Sequence, residues 1–165
     1  MRKRNSQVLA RDVMVPVKKL LTLKPDMDAL AAIRMLLNHR ISGAPVVDNE
    51  GEYLGVFSEK TSMDFLLQLT YEDLPSSDVG SFMNTDSDRT IPEEADLLSI
   101  MDIFLRSPYR RLPVLRGSRL VGQISRRDVL RAATKSLEQS PAGRKHVLYL
   151  SALESESVVA SRFWN

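Results

Sequence analysis

The chain has 165 residues, of which 43% are hydrophobic and 27% are charged, and its formal net charge is +2. This balance is typical of a globular protein with one compact domain, or with two small domains that share a core. The chain contains no cysteine and two histidines. This composition excludes a disulfide framework and a thiolate zinc site, and it argues against a histidine metal cage.

The N-terminal residues 1–7 are basic, but no apolar segment of a secretory signal follows them. No stretch of the sequence is apolar over the length that is needed to span a membrane. We therefore predict a cytoplasmic protein that begins with a solvated basic tail.

The first half of the chain changes between strand-like and helical patterns. An apolar segment opens near Val13, and the polar residues around Pro25 are typical of a turn that leads into a helix. Apolar residues then recur at helical spacing from Ala29 to Leu37, which predicts an amphipathic helix that ends near His39. Two strands over 44–47 and 53–58 are predicted on either side of a turn, and a second helix follows over about 60–69.

After a polar linker over 71–78, the same order of patterns begins again. We define the first copy as residues 8–70 and the second copy as 79–137, with a C-terminal extension over 138–165. The matching segments are Val13-Met14 and Phe82-Met83, Thr22-Leu23 and Thr90-Ile91, Ala44-Pro45-Val46-Val47 and Leu112-Pro113-Val114-Leu115, and Gly55-Val56-Phe57-Ser58 and Gly122-Gln123-Ile124-Ser125. The second and third pairs are 68 residues apart (90 − 22), and the fourth pair is 67 residues apart (122 − 55).

Each copy reads as a β-α-β-β-α unit of about sixty residues, which is too small to bury much surface alone. We therefore predict an α/β (α+β) fold in which two units pack sheet to sheet with approximate two-fold symmetry. Two related clefts are expected where strand ends and helix N-termini of the two units approach each other.

The predicted strand-to-helix corner at Ser125 is a candidate binding site. An apolar strand pattern ends at this serine and a helical pattern follows, so free N–H groups and the helix dipole favour an anion there. Asp128, one turn into the helix, can accept hydrogen bonds from hydroxyls. The same Ser-x-x-Asp spacing also fits a capping box, which needs no ligand.

This doubled pattern, with Pro-Val after the first helix and Gly-x-hydrophobic-Ser-x-x-Asp after the second hairpin strand, resembles a tandem pair of cystathionine-beta-synthase (CBS) domains, the Bateman module. The resemblance covers about residues 8–137. It implies a regulatory module that binds AMP, ADP, ATP or S-adenosylmethionine between its repeats and commonly forms disc-like dimers. It also implies no catalytic residue, no metal and no required cofactor, and an unidentified regulated protein as a partner.

The resemblance assigns roles to residues of the second copy. Asp128 is expected to bind the ribose hydroxyls, while Ser125 and Arg127 face the phosphates. Arg110 and Arg111 stand where some family members carry a basic pair that contacts phosphate, which suits guanidinium groups. Tyr109 is expected to pack or to flank the base.

The first copy departs from this pattern. Its corner reads Ser58-Glu59-Lys60-Thr61, so Thr61 replaces the ribose carboxylate, and Ser42 with the following glycine replaces the basic pair. We therefore predict unequal sites, with a weaker second site formed by Ser58, Lys60, Thr61 and Ser42.

Two other functions stay open from the sequence. The chain could be an interaction module whose clefts are vacant and whose apolar faces serve dimerisation. Nucleic-acid binding through the arginine-rich stretch is disfavoured because only 6% of the residues are aromatic and no stacking platform alternates with the arginines.

The extension contains apolar segments between 146 and 164, including Trp164, the one tryptophan of the chain. Exposed apolar segments favour contacts, so we expect docking within the dimer, with capture of a partner as the alternative.

Overall fold

A computed structural model describes residues 8–71 and 77–139 of the chain. The predicted basic tail, most of the linker and the extension from residue 140 onward, including Trp164, lie outside the described residues. The chain divides after Arg126 into two compact units. The first unit contains both hairpins and the first five helices.

The long helix, the hairpin and the second helix of the first copy follow in the predicted order. A short helix, a two-residue strand and a 3₁₀ turn precede them. The helix that was predicted to end near His39 begins at Ala29, where the carboxylate of Asp28 accepts a hydrogen bond from the Ala31 N–H at 2.8 Å. The elements are α1 (Ala10–Val13), β1 (Val15–Pro16), a 3₁₀ turn (Val17–Lys19), α2 (Ala29–His39), β2 (Gly43–Val47), β3 (Tyr53–Ser58) and α3 (Glu59–Tyr71).

The second copy repeats this programme. Asp96 caps its first long helix as Asp28 does in the first copy, because its carboxylate accepts hydrogen bonds from Leu98 and Ser99 N–H groups at 3.0 Å. The elements are α4 (Val79–Phe82), a 3₁₀ turn (Ser87–Arg89), β4 (Ile91–Pro92), α5 (Leu97–Arg106), β5 (Arg111–Arg116), β6 (Arg119–Ser125) and α6 (Arg126–Gln139).

The two hairpins pair in the same register. In the first copy Gly43 of β2 lies opposite Ser58 of β3, and in the second copy Arg111 of β5 lies opposite Ser125 of β6. A parallel neighbour joins each hairpin. Leu23 pairs with Val46, and the corresponding strand β4 pairs with β5. The predicted mixed α/β fold and its internal repeat are therefore confirmed.

The short helices α1 and α4 begin each copy, and each of these leading helices bonds to the other copy. Three backbone hydrogen bonds that involve the segment around α1 have counterparts around α4. The two segments are 69 residues apart in the chain (79 − 10), and the residues that they bond to are 68 apart (95 − 27). The pairs are Ala10 N to Ala95 O and Val79 N to Met27 O, Arg11 N to Glu93 O and Gly80 N to Pro25 O, and Leu97 N to Val8 O and Ala29 N to Ser77 O, all between 2.7 and 3.0 Å.

The residues after the leading helices continue this exchange. Strand β1 pairs antiparallel with β6, so the sheet of the second copy has the order β1-β6-β5-β4. In return, Asn84 and Val56 exchange two backbone hydrogen bonds of 2.9 Å. The hairpin tips also meet, with Glu52 opposite Arg119. The two copies are thus joined by reciprocal backbone pairing, which the expected sheet packing did not include.

The core of the first copy depends on this exchange. Val79 of α4 is fully buried in it, and Phe82 and Met83 pack against its edge. The rings of Phe65 and Phe82 meet edge to face, with centroids 4.9 Å apart. The other buried members are Leu23, Ala29, Ala32, Leu36, Ala44, Val46, Phe57 and Phe65.

Two glycines allow the leading segments to approach, and their replacement tests the exchange. A Cβ atom at Gly55 would lie 2.6 Å from the Asn84 carbonyl oxygen, and one at Gly122 would lie 2.8 Å from the Val15 carbonyl oxygen. Because these oxygens belong to paired backbone, we expect Gly55→Ala or Gly122→Ala to lower the free energy of unfolding by about 1–3 kcal/mol. Thermal melting followed by circular dichroism should show a decrease of roughly 3–10 °C.

The control for these variants is Gly117→Asn. Gly117 has a φ of +61°, a conformation that asparagine tolerates, and a Cβ atom there would meet no atom of the described residues within 4 Å. This variant should melt close to the wild type. Unchanged melting of both alanine variants would contradict the close approach.

Candidate functional site

A cleft of about 190 Å³ lies between the two copies within the first unit. It has room for a heterocyclic base. The first copy contributes the segment after its 3₁₀ turn and the chain that leads from α2 into β2, and the second copy contributes one residue from each hairpin strand. The lining residues are Lys19, Leu20, Leu21, His39, Ile41, Gly43, Pro45, Arg111 and Gln123.

The register of the second hairpin explains which of its side chains share this side of the sheet. Arg111 lies opposite Ser125, and Pro113 lies opposite Gln123. Side chains two residues apart on a strand point to the same face. Gln123 and Ser125 therefore face the same way as Arg111, so the predicted anion corner and the cleft lie on one face of the hairpin.

The charged residues that line the cleft are basic. Lys19 and Arg111 carry positive charge, and no acidic residue is among the described lining residues. His39 Nδ1 lies 2.9 Å from the Met35 carbonyl oxygen. Since a carbonyl only accepts hydrogen bonds, Nδ1 donates, and Nε2 is left for other partners. The cleft therefore has an apolar portion and a cationic portion.

The predicted site residues fall into two groups. Arg111 lines the cleft, and Arg110 precedes β5, where its carbonyl accepts a 3.4 Å hydrogen bond from Arg126 N–H. Ser125 is the last residue of β6. Arg127 and Asp128 stand in the first turn of α6 in the second unit, where Asp128 pairs with Arg131 at 3.8 Å.

Most of the remaining arginines of the second copy have structural partners. Arg126 donates to the carbonyl oxygens of Phe104 and Ser107 at 3.3 and 3.1 Å, which closes the end of α5. Arg106 pairs with Asp102, and Arg116 binds both carboxylate oxygens of Glu93, which lowers the pKa of that carboxyl group. Arg119 donates to the Glu50 carbonyl oxygen. Of the described residues, none forms an ion pair with Arg110 or Arg111.

The corner of the first copy is closed by its own side chains. The Thr61 hydroxyl accepts from Ser58 N–H at 2.8 Å and donates to the Ser58 carbonyl oxygen at 3.0 Å, while Thr61 N–H reaches the Ser58 hydroxyl at 3.4 Å. This is a capping arrangement in which the Thr61 hydroxyl donates its proton and accepts one hydrogen bond within the corner. Lys60 lies in the first turn of α3. Ser42, which we predicted for the same site, accepts a 3.0 Å hydrogen bond from Glu59 N–H through its carbonyl oxygen, and its neighbours Ile41 and Gly43 line the described cleft.

The second-copy positions that correspond to the first-copy lining of the cleft carry different side chains. Tyr109 corresponds to Ile41 (109 − 41 = 68), and Arg89 ends the second 3₁₀ turn as Lys19 ends the first. The guanidinium carbon of Arg89 lies 4.9 Å from the centre of the Tyr109 ring, and the Tyr109 hydroxyl donates to Asp86 at 2.5 Å. These three side chains contact one another at the positions that correspond to the lining of the described cleft.

Titration follows these contacts. The hydrogen bond from Tyr109 lowers the pKa of Asp86 and raises the pKa of Tyr109. Burial raises the pKa of nearby Tyr53 to about 12, with the charge of Arg89 acting in the opposite direction. The Tyr53 hydroxyl and the Arg89 Nε are buried without a hydrogen-bond partner among the described residues. The cluster is thus held by packing and charge with its hydrogen bonds incomplete.

Sequence reasoning did not single out Lys19, His39 or Gln123 as lining residues. Lys19 and Gln123 resemble ordinary surface or strand residues in the sequence, and His39 was interpreted as the end of a helix. The available signal was the repeat itself, because Gln123 corresponds to Val56 and differs from it in polarity. Within 8–71 and 77–139, no helix has the length and apolar character to cross a membrane, and no three acidic or histidine residues gather as metal ligands.

Comparisons with known proteins agree with this architecture. The CBSX2 protein of Arabidopsis thaliana, solved in complex with AMP, is 27% identical with a TM-score of 0.67, covering 77% of this chain and 96% of that chain. The CbpB protein, solved with c-di-AMP, is 23% identical with a TM-score of 0.69 over 80% of this chain and 88% of that chain, a likeness of fold.

A longer relative is the inosine-5'-monophosphate dehydrogenase of Aquifex aeolicus, which is 28% identical over 67% of this chain. The match spans 22% of the dehydrogenase. The sequence pattern of the CBS domain matches residues 10–61 and 78–135, one match in each copy. The chain therefore belongs to the CBS domain family and carries this domain as a tandem pair.

Proposed function

We propose that this protein is a regulatory module that binds an adenosine nucleotide such as AMP, ADP or ATP and has no catalytic activity of its own. The observation that carries the proposal is a cleft between the copies whose walls are apolar at Leu20, Leu21 and Ile41 and cationic at Lys19 and Arg111. Apolar walls suit a base, and guanidinium and ammonium groups suit phosphate. The AMP complex of CBSX2, at 27% identity, supports the ligand class.

The roles of the site residues follow their positions in the chain. Asp128 is the proposed acceptor of the ribose hydroxyls, since a carboxylate can accept two hydrogen bonds. Ser125 and Arg127 are proposed to bind phosphate with Arg110 and Arg111. Arg110 and Arg111 have no ion-pair partner among the described residues, so they can bind phosphate without breaking an ion pair.

We propose that only one nucleotide binds per chain. The weaker site assigned to Ser58, Lys60, Thr61 and Ser42 has a corner whose hydroxyl is used in a helix cap. The second-copy positions that correspond to Lys19 and Ile41 carry the stacked Arg89 and Tyr109. A ligand there would have to disrupt these contacts before it made its own.

The regulatory effect is proposed to arise from the shared walls of the cleft. A ligand that contacts Ile41 of the first copy and Arg111 of the second gains affinity only for the relation of the copies that brings these residues together. It shifts the population toward that arrangement by no more than its difference in affinity. A cytoplasmic partner protein is proposed to read the change.

The proposed assembly is a homodimer through α2 and α5. Leu98 and Leu105 of α5 are 74% and 85% exposed, and the corresponding residues Leu30 and Leu37 of α2 are also exposed. Equivalent leucines in both copies form a face that a second chain can match by two-fold symmetry. This face also favours the alternative function, a ligand-free dimerisation module.

Calorimetric titration with AMP tests the ligand proposal. We expect one site per chain, and we expect Arg111→Ala and Asp128→Ala each to weaken binding about 10- to 100-fold, because each removes a charge-assisted hydrogen bond. Arg106→Ala is the matched control, since Arg106 is 79% exposed and pairs with Asp102. Folded protein that does not bind AMP, ADP or ATP, or equal binding by all variants, would contradict the proposal.

Light scattering after size exclusion tests the dimer. Leu105→Glu places a charge in the proposed apolar interface, so we expect the mass to change from two chains to one. Lys18→Ala changes the net charge by the same amount at an exposed site outside α5 and should leave the mass unchanged. A Leu105→Glu protein that remains dimeric would exclude this face as the interface.

A further inference from the structure

Gln123 is a buried polar residue whose side-chain amide has no hydrogen-bond partner among the described residues and keeps some contact with solvent at the cleft. It lies in the middle of β6, is 8% exposed and lines the cleft. Its backbone is held by pairing with Val15 on one side and Pro113 on the other. Within the part of the chain that the structure describes, no residue forms a hydrogen bond with its side-chain amide.

An amide in this position needs both a donor and an acceptor. Because the amide opens onto the cleft and is not satisfied by the described residues, it is available to a ligand that offers both groups. The neighbouring walls at Leu20, Leu21, Ile41 and Pro45 offer no polar side chain. Lys19 and Arg111 are donors only and cannot satisfy the NH₂ group of Gln123. The remaining polar side chain of the lining, His39, forms no hydrogen bond with this amide among the described residues.

The internal repeat shows that the fold does not require an amide here. The corresponding position in β3 is Val56 (123 − 56 = 67), which is 6% exposed and lies in the same strand context. The equivalent strand position in the first copy therefore accepts an apolar side chain. The second copy thus carries a polar side chain at a position that lines the described cleft, where the first copy carries valine.

We infer that the Gln123 amide recognises the edge of the base of a bound purine nucleotide. The inference rests on the proposed function and extends it to the choice of base. A glutamine amide presents a donor beside an acceptor, which matches the amino group and adjacent ring nitrogen of adenine in a bidentate pair. Gln123 is thus the residue that selects adenine, while the basic residues of the cleft hold the phosphate.

The test compares two ligands with two proteins. The ligands are AMP and purine riboside 5'-monophosphate, which lacks the 6-amino group, and the proteins are the wild type and Gln123→Met, which keeps the length of the side chain without its hydrogen bonds. In the wild type, loss of the amino group should weaken binding about tenfold. In Gln123→Met, AMP should bind about tenfold more weakly and the two ligands should bind equally.

Calorimetry separates the possible failures. If the wild type binds AMP and Gln123→Met keeps the wild-type preference for the amino group, the inference is overturned while the proposed function stands. If the wild type binds neither ligand, the proposed function fails and the role of Gln123 fails with it. Gln123→Val, the residue that β3 accepts at this position, serves as a second variant if the methionine protein does not fold.

Discussion

The structure depends on the reciprocal pairing of the leading segments. Helix α1 bonds to the loop before α5, and α4 bonds to the loop before α2. Each copy therefore completes the other, since Val79 of the second copy is buried in the core of the first. A copy of about sixty residues buries too little surface alone, and this exchange gives each copy backbone partners and buried contacts from the other.

The cleft follows from the same constraint. Its walls come from the chain around Ile41 in one copy and from Arg111 and Gln123 in the other. Because the leading segments hold the hairpins together, the cleft exists only when the copies are joined. Under the proposed function, a ligand in this cleft would contact both copies, so its binding would be linked to the relation of the copies.

Symmetry of the backbone has not preserved symmetry of the side chains. The position of Ile41 is repeated by Tyr109, which binds Asp86 and stacks under Arg89. Thr61 closes its own helix end. These side chains thus form internal contacts, while Gln123 of the second copy lines the described cleft with an amide that has no hydrogen-bond partner among the described residues.

The sequence by itself determined the two copies with their long helices and hairpins, because these features depend on local periodicity and on matches at constant separation. The position of Arg111 at the cleft was expected from the family resemblance, and Arg111 does line the cleft. Only the tertiary structure decided that β1 joins the sheet of the other copy, since a strand of two residues has no detectable period. It also decided that His39, Lys19 and Gln123 share one cleft. Such neighbours are distant in the chain, and their contact is a consequence of how the two copies fold together.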